Sequence, residues 1–163
     1  MKQIGFGGGC HWCTEAVFQS LVGVSEVTQG FIAPEGQGDD FSEAVVVGYD
    51  TDQIDLRTLI EIHLLTHNST KNHSMREKYR SAVYVYDTKT FNIALAILQD
   101  LQKDFTEPLI TRVFYFGQYK YSEEQFHNYY YSNPQKPFCE RYISPKLALL
   151  QKRFSKVMID NTQ

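Results

Sequence analysis

Short apolar or alternating stretches of the chain predict five β-strands, because every second side chain of a half-buried strand faces the core. The predicted strands cover residues 2–7, 24–32, 44–48, 81–86 and 109–116. The polar, glycine-containing stretch 33–40 separates the second strand from the third and predicts a loop. A second loop is predicted at 68–78, which is polar and has no periodicity.

Apolar residues three and four positions apart predict helices between and after these strands. The expected helices lie near residues 14–21, 55–65, 88–105, 122–132 and 144–156. Asp55 is a candidate N-cap, and Pro145 stands in the tolerated first turn of the last helix. The resulting order, β-α-β-β-α-β-α-β-α-α, predicts an α+β fold with an antiparallel or mixed sheet and helices packed on one face.

The length and composition predict one domain over residues 1–163. Of the 163 residues, 42% are hydrophobic and 21% charged, which is enough apolar material for a core and too little charge for disorder. No long apolar run predicts a membrane helix, and the first residues lack the apolar core of a signal peptide. With a net charge of −3, a broad phosphate-binding face is not expected. The 11 Tyr and 11 Phe exceed what a small core needs, so some are expected to line a groove.

Three cysteines, Cys10, Cys13 and Cys139, are too few and odd in number for a secreted disulfide framework. The Cys-x-x-Cys spacing of the first two indicates redox chemistry or half of a metal site. A zinc site needs further ligands at regular spacing, and His11 and His127 do not supply it. The sequence therefore favours redox chemistry and no metal.

Cys10 directly follows three glycines at the end of a predicted strand. Glycines allow a tight turn and leave the thiol uncovered by neighbouring side chains. If a helix begins at this point, its N-terminal amides and dipole favour the thiolate over the thiol. This pattern predicts a nucleophilic cysteine at position 10.

A cysteine nucleophile needs an acid or base, and two glutamates are candidates. Glu15 falls one helical turn after the cysteines. Glu43 stands at the mouth of a strand that otherwise has a core sequence, where a half-buried carboxyl is a good proton donor near neutral pH.

Six short segments carry a resemblance when they are taken in chain order. They are 9–15, 42–45, 67–70, 79–82, 122–129 and 133–147. The first looks like the Gly-Cys-Phe-Trp-x-x-Glu signature of the A-type peptide methionine sulfoxide reductases. The last is similar to the Asn-Pro-x-x-Pro-Tyr-Cys…Pro-Lys-Leu ending of one branch of that family. Each segment alone is weak, but the ordered set is highly specific.

The resemblance implies a mechanism for the residues already identified. The Cys10 thiolate attacks the sulfoxide sulfur, Glu43 donates a proton to the oxygen, Tyr79 hydrogen-bonds that oxygen, and Trp12 holds the substrate methyl group. Cys10 becomes a sulfenic acid, which a second thiol converts to a disulfide for reduction by thioredoxin. The family places that recycling cysteine at Cys139, and Cys13 remains the competing candidate.

The resemblance also implies a set of substrate-binding residues. The set consists of His11, Trp12, Phe31, Glu15 and His127. No prosthetic cofactor or metal is expected, and the external reductant is a dithiol such as thioredoxin. The implied fold is a ferredoxin-like two-layer α/β sandwich with additional C-terminal helices.

Four departures from the family pattern fall on the substrate side. His11 replaces the usual Phe, and the usual Asp before Tyr79 is missing from a stretch that contains Ser74. The segment between Gly30 and Glu43 is short, and Phe31 stands where the family has Tyr. The reaction type is therefore defined more firmly than the substrate.

Four interpretations remain open. The leading one is a thiol-dependent reductase of methionine-S-sulfoxide, in proteins or as a small molecule. The others are a relative that reduces another small sulfoxide, a non-catalytic peptide-binding module, and a general thiol–disulfide oxidoreductase. We expect a cytoplasmic monomer that interacts with thioredoxin and with neither nucleic acid nor membrane.

Overall fold

The computed structural model describes residues 2–9, 11–38, 40–71, 79–122 and 143–159. The strands are β1 (Lys2–Gly7), β2 (Val24–Pro34), β3 (Ser42–Tyr49), β4 (Ala82–Val85) and β5 (Arg112–Tyr121). The helices are α1 (His11–Gln19), α2 (Leu56–Leu65), α3 (Thr88–Leu101) and α4 (Ser144–Phe154). Short 3₁₀ turns follow α3 at Gln102–Asp104 and α4 at Ser155–Val157.

Aspartate side chains begin α2 and α3. Asp55 accepts a hydrogen bond from the Thr58 amide at 2.8 Å, and Asp87 accepts one from the Thr90 amide at 2.7 Å. Each carboxylate satisfies an amide that has no partner within its helix, which typically contributes about 1 kcal/mol. The predicted N-cap at Asp55 is confirmed, and so is the proline in the first turn of α4.

The five strands form one sheet in the order β1-β3-β2-β5-β4, and β4 also pairs with β1, which closes the sheet into a ring. All neighbouring strands are antiparallel except β4 and β5, which are parallel. The α+β class and the mixed sheet are confirmed. The ferredoxin-like two-layer sandwich is not confirmed as predicted. That sandwich has an open sheet with two exposed edge strands, whereas here β5 pairs with both β2 and β4 and closes the sheet.

The helices pack on the outer face of the ring, and a smaller apolar cluster fills its inside. Ile4 and Phe6 of β1 lie in the outer core, where the Phe6 ring stacks on Phe18 of α1 with 4.6 Å between centroids. Gly5 lies between them and faces inward. A Cβ at Gly5 would lie 2.9 Å from the Tyr84 Cβ, so only glycine fits at this position.

The last strand differs from its predicted position. The apolar pattern predicts a strand at 109–116, but β5 runs from Arg112 to Tyr121. Gly117, Gln118 and Lys120 interrupt the apolar pattern, yet Gln118 and Lys120 continue the backbone pairing with β2 that closes the ring, and Gly117 falls at a register shift in that pairing. The predicted helix at 122–132 and the irregular segment around Cys139 lie outside the described residues beyond Ser122. In the described part of the chain, no helix has the length and apolar character needed to span a membrane.

Candidate functional site

The turn between β1 and α1 depends on glycine. Gly8 has a φ of +153°, which side-chain-bearing residues rarely adopt, and a Cβ at this position would overlap the His67 ring. After this turn α1 begins at His11, next to the start of β3. The predicted glycine-dependent turn is therefore present at Gly8, just before Cys10 in the sequence, and Cys10 itself lies outside the described residues.

Glu43 lies at this helix start and is 6% exposed. Its Oε1 accepts a hydrogen bond from the backbone amide of His11 at 3.2 Å. That amide belongs to the first residue of α1 and has no acceptor within the helix.

The His11 ring lies between β2 and Glu43. Its Nδ1 is 3.0 Å from the Gly30 carbonyl oxygen, and its Nε2 is 3.5 Å from Glu43 Oε1. A carbonyl oxygen only accepts, so Nδ1 carries a proton and donates it. The ring also meets Phe31 edge to face, with 5.2 Å between centroids. Phe31 and Glu43 are direct partners across β2 and β3, so these three predicted site residues form one cluster.

Tyr79 belongs to a segment that is fixed against β3. The amide of the next residue, Arg80, donates to the Ser42 hydroxyl at 2.6 Å. The Arg80 guanidinium forms an ion pair with Asp40 at 2.9 Å and donates to the Tyr84 hydroxyl at 3.0 Å. These contacts place the backbone of Tyr79 beside the strand start that carries Glu43.

Cys13 lies on a different side of α1 from the His11 ring, whereas the Trp12 ring lies close to the His11 ring, with 6.4 Å between centroids. Cys13 is 7% exposed and packs with Ala16 and Ile143, and Trp12 and Leu147 pack against the same cluster. Cys13 also lines a cavity of about 40 Å³. The other residues around the cavity are Gly9, Thr14, Val17, His63, Thr66, His67 and Lys146. Positions 11 and 13 are 200° apart on an ideal helix, which explains why their side chains face different surroundings.

Glu15 is buried rather than solvated, with 1% of its surface exposed. It contributes to the electrostatic environment of Tyr119 on β5. Burial of the Tyr119 hydroxyl, with smaller contributions from Tyr121, Tyr86 and Glu15, holds the pKa of Tyr119 well above its ordinary value. Tyr119 therefore stays neutral and donates to the Gln29 carbonyl at 2.8 Å.

The described residues contain part of the predicted site. His11, Phe31 and Glu43 are brought together, Tyr79 is placed nearby through its neighbour, and Cys13 faces the separate small cavity. Three predicted residues, Cys10, His127 and Cys139, lie outside the described residues, as does Ser74. In the ranges that the structure describes, no group of three His, Cys, Asp or Glu side chains could hold a metal ion.

A chain of hydrogen bonds behind the glycine turn was not predicted from the sequence. His67 Nδ1 donates to the His63 carbonyl, and its Nε2 lies 2.7 Å from the Ser81 hydroxyl, which lies 2.7 Å from the Thr111 hydroxyl. Burial lowers the pKa of His63 well below its ordinary value, and nearby His67 adds to the effect. The available signal was the position of His63 between Ile62 and Leu64 on the buried face of α2.

An α+β domain with a glycine turn before a cysteine, and with the buried Glu43 carboxyl of β3 bonded to the first amide of the following helix, fits a thiol-dependent oxidoreductase. Comparison with known proteins identifies the family. Residues 2–158 match the family described as peptide methionine sulfoxide reductase. The chain belongs to this family and is an oxidoreductase that reduces methionine sulfoxide by thiol chemistry.

Individual relatives are similar to this chain over most of its length. The chain is similar to the peptide methionine sulfoxide reductase MsrA of Trichodesmium erythraeum, with 34% identity over 94% of this chain and 96% of that protein. The crystal structure of reduced Mxr1 from Saccharomyces cerevisiae has a TM-score of 0.72 at 23% identity, covering 85% of this chain and 88% of the other. A further structure, of Mxr1 in complex with Trx2, has a TM-score of 0.60 at 21% identity, covering 77% and 84%.

Proposed function

We propose that Cys10 is the nucleophile and Glu43 the general acid in the reduction of methionine-S-sulfoxide. This proposal rests on the hydrogen bond from the His11 amide to Glu43, which is 3.2 Å long. The bond holds the buried Glu43 carboxyl beside His11, the residue that follows Cys10 in the sequence. A general acid must lie within reach of the group that it protonates.

The chemical step balances with these two groups. The Cys10 thiolate attacks the sulfoxide sulfur, and the Glu43 proton goes to the sulfoxide oxygen as the bond between sulfur and oxygen breaks. The attack forms a bond between the two sulfurs, and this bond breaks as the oxygen bonds to the Cys10 sulfur as a hydroxyl, so that a Cys10 sulfenic acid forms and methionine is released. The methionine sulfur is reduced by two electrons, the cysteine sulfur is oxidised by two, and Glu43 is left as a carboxylate.

The remaining predicted residues bind the substrate in this proposal. Tyr79 donates a hydrogen bond to the sulfoxide oxygen, supported by the placement of its segment against β3. Trp12 provides an apolar surface for the methyl group, while Phe31, Glu15 and His11 line the side toward β2. His127 completes the binding set, as the resemblance implies.

Recycling requires a second thiol and an external dithiol. Cys139 attacks the sulfenic acid and releases water, and the resulting disulfide is reduced by thioredoxin. The complex of the structural neighbour Mxr1 with Trx2 supports this choice of partner. No prosthetic group or metal takes part. This chemistry needs a reducing compartment, so the proposal includes a cytoplasmic location for a protein that acts as a monomer, without nucleic acid or membrane.

For the fold, we propose that residues 1–163 form one domain built on a ferredoxin-like unit. Without β5, the sheet order is β4-β1-β3-β2 with antiparallel neighbours, and the chain order is β-α-β-β-α-β. These two properties define a split βαβ arrangement. In this proposal β5 is an addition that closes the sheet.

The decisive experiment is an assay of purified protein with dithiothreitol. Substrates are the S and R epimers of a blocked methionine sulfoxide, free methionine sulfoxide and dimethyl sulfoxide. We expect turnover of the blocked S epimer and none of the R epimer. Equal activity on both epimers, or none on either, would contradict the proposal.

The polar His11 ring beside Glu43 favours a second candidate, a reductase for another small sulfoxide. The same assay separates the two candidates. A preference for dimethyl sulfoxide over the blocked S epimer would support the second candidate.

A further inference from the structure

A cavity of about 570 Å³ lies against the first half of β5, and the mechanism above does not use it. Its described walls include Gln37 from the connection between β2 and β3, Arg80 and Ser81 before β4, and Arg112 and Phe114 of β5. Ligand pockets in proteins typically have volumes of about 300–1,000 Å³. The cavity is therefore large enough to hold a group of a bound molecule.

Strand pairing places this cavity at the same end of the ring as Glu43. Arg112 pairs with Ala82, and Ala82 pairs with Gly7. Gly7 pairs in turn with Ala44, the residue after Glu43. Neighbouring strands are about 4.8 Å apart, so the row from Ala44 to Arg112 spans about 14 Å along the rim of the ring. An extended polypeptide covers that distance in about four residues. A substrate chain held at Glu43 can therefore reach the cavity.

Arg112 gives the cavity a positive charge. The residue is exposed, and its Cζ lies 5.6 Å from the centroid of the Phe114 ring. Within the part of the chain that the structure describes, no carboxylate forms an ion pair with its guanidinium. A guanidinium beside an aromatic ring is attracted to the ring and still has N–H groups for a second partner.

Arg80 differs from Arg112, although its Cζ lies at a similar distance, 5.8 Å, from the Phe114 ring. The charge of Arg80 is balanced by Asp40 in an ion pair of 2.9 Å. Its guanidinium also donates to the Tyr84 hydroxyl at 3.0 Å. Arg80 is therefore a fixed part of the wall, and Arg112 is the residue whose charge a ligand can balance.

We propose that this cavity binds an acidic side chain of the substrate polypeptide, about two to four residues from the methionine sulfoxide. The inference rests on the proposed function, because it names a feature of the substrate for the same site. A carboxylate matches the paired N–H groups of the Arg112 guanidinium, and its single charge balances that one cation. The methylene groups of a glutamate can pack on the Phe114 ring, and the exposed Gln37 amide can donate a further hydrogen bond.

The test uses short blocked peptides with a central methionine-S-sulfoxide in an otherwise uncharged sequence. A single glutamate, glutamine or lysine is placed in turn at each of the positions two to four residues away, on either side. With wild-type protein, we expect glutamate at one of these positions to lower KM about fivefold relative to glutamine, and lysine to raise it, while kcat stays the same. The preference should shrink at about 0.5 M salt, because the ion pair is partly exposed to solvent.

Arg112→Gln should give the glutamate and glutamine peptides equal KM values, and Arg112→Glu should favour the lysine peptide. Arg153→Gln is the matched control and should keep the wild-type preference. Arg153 is also exposed, and its Cζ lies 5.9 Å from the Phe154 ring, but it belongs to α4.

Equal KM values for glutamate and glutamine at every position in the wild type would overturn the inference. A preference that survives Arg112→Gln, or that Arg153→Gln removes equally, would also overturn it. The same holds if Arg112 serves to distinguish N-acetylmethionine sulfoxide from its amide, because the bound carboxylate would then be the substrate's own. If none of the peptides is reduced, the proposed function fails, whereas reduction of all of them with equal KM overturns this inference alone.

Discussion

The backbone amide of Arg80 donates a hydrogen bond to the hydroxyl of Ser42, with 2.6 Å between nitrogen and oxygen. The bond joins two segments that lie 38 positions apart, and each segment carries a proposed active-site residue next to the bonded one. Tyr79 precedes Arg80, and Glu43 follows Ser42. The relative positions of the proposed acid and the proposed oxygen-binding tyrosine therefore depend on a pair that touches no substrate.

Ser42→Ala is expected to lower kcat by about tenfold or more, because small displacements of a catalytic constellation are costly. Stability should fall by about 1 kcal/mol, since the partly buried Arg80 amide loses its acceptor. Steady-state kinetics and urea unfolding measure the two effects.

Ser20→Ala is the matched control for this substitution. Ser20 is equally buried and donates to the Val17 carbonyl at 2.6 Å, at the other end of α1. It should lose comparable stability with nearly unchanged kcat. Equal losses of kcat in both variants would show that Ser42 acts only through stability.

Cys10→Ser is expected to abolish methionine formation and leave the fold intact, because a serine hydroxyl is not ionised at neutral pH and cannot form a sulfenic acid. The measurement is methionine released from the blocked S epimer by pre-reduced protein, with circular dichroism as the check on folding. Substantial turnover by this variant would remove Cys10 from the mechanism.

Glu43→Gln is expected to slow the reductive step by about 10²- to 10⁴-fold, which is typical for the loss of a general acid. Thiolate formation at Cys10 should survive, as measured by alkylation rate against pH. Glu26→Gln is the matched control, since Glu26 is exposed near the start of β2 and paired with Gly48. A near-normal single-turnover rate in Glu43→Gln would make Glu43 a structural residue only.

Local features of the fold were accessible from the sequence, while contacts through backbone atoms were not. Asp55 predicts its helix start because capping depends on the residue itself and its next turn. His11 is oriented by the Gly30 carbonyl, which is a backbone group that every residue type has, so the sequence gives no signal for this contact. Closure of the sheet was also hidden, because Gln118 and Lys120 continue β5 through backbone pairing alone while their side chains remain exposed.

In the candidate site, too, some features could be predicted from the sequence and others could not. Its residue types were identified because the glycine turn, the cysteine and the glutamate each have a chemical signature in sequence. The pairing of His11 with Glu43 was not predicted, and His11 was instead expected to be one of the substrate-binding residues. Helix periodicity places His11 and Cys13 on different sides of α1, but it does not show which element covers each side.

His63 is expected to make the protein acid-sensitive. Burial lowers its pKa well below the ordinary value of about 6.5, so the folded state keeps this ring neutral while the unfolded state protonates it. Below about pH 6.5 the unfolded state binds one more proton, and stability then falls by about 1.4 kcal/mol per pH unit until the folded ring also titrates. Stability is fully present above that range.

The comparison uses urea unfolding of wild type and His63→Leu between pH 5 and 7.5. The variant removes the titrating group at similar volume, so its free energy of unfolding should fall less steeply with acid, while other groups contribute equally to both proteins. Parallel pH dependences would show that His63 does not contribute to acid sensitivity.

The last prediction concerns the thiol that resolves the Cys10 sulfenic acid. Cys13 is near in sequence, but its side chain is buried against Ala16 and Ile143 and faces the small cavity beside Lys146. To form a disulfide, the Cys13 side chain would have to leave this packing and turn toward Cys10, because a disulfide needs specific geometry at both sulfurs. Cys139 carries the recycling role that the resemblance implies, and we predict that it is the resolving thiol.

Cys139→Ser should therefore release one methionine per protein, leave Cys10 as a sulfenic acid that a dimedone reagent traps, and fail to recycle with thioredoxin. Cys13→Ser is the matched control and should continue to turn over with thioredoxin at a rate near that of the wild type, since it keeps both thiols of the proposed disulfide. Mass spectrometry of the oxidised wild type should show Cys10 joined to Cys139. A bridge between Cys10 and Cys13, together with recycling by Cys139→Ser, would reverse the assignment and make Cys139 a structural thiol, because only the thiol that condenses with the sulfenic acid is required for turnover.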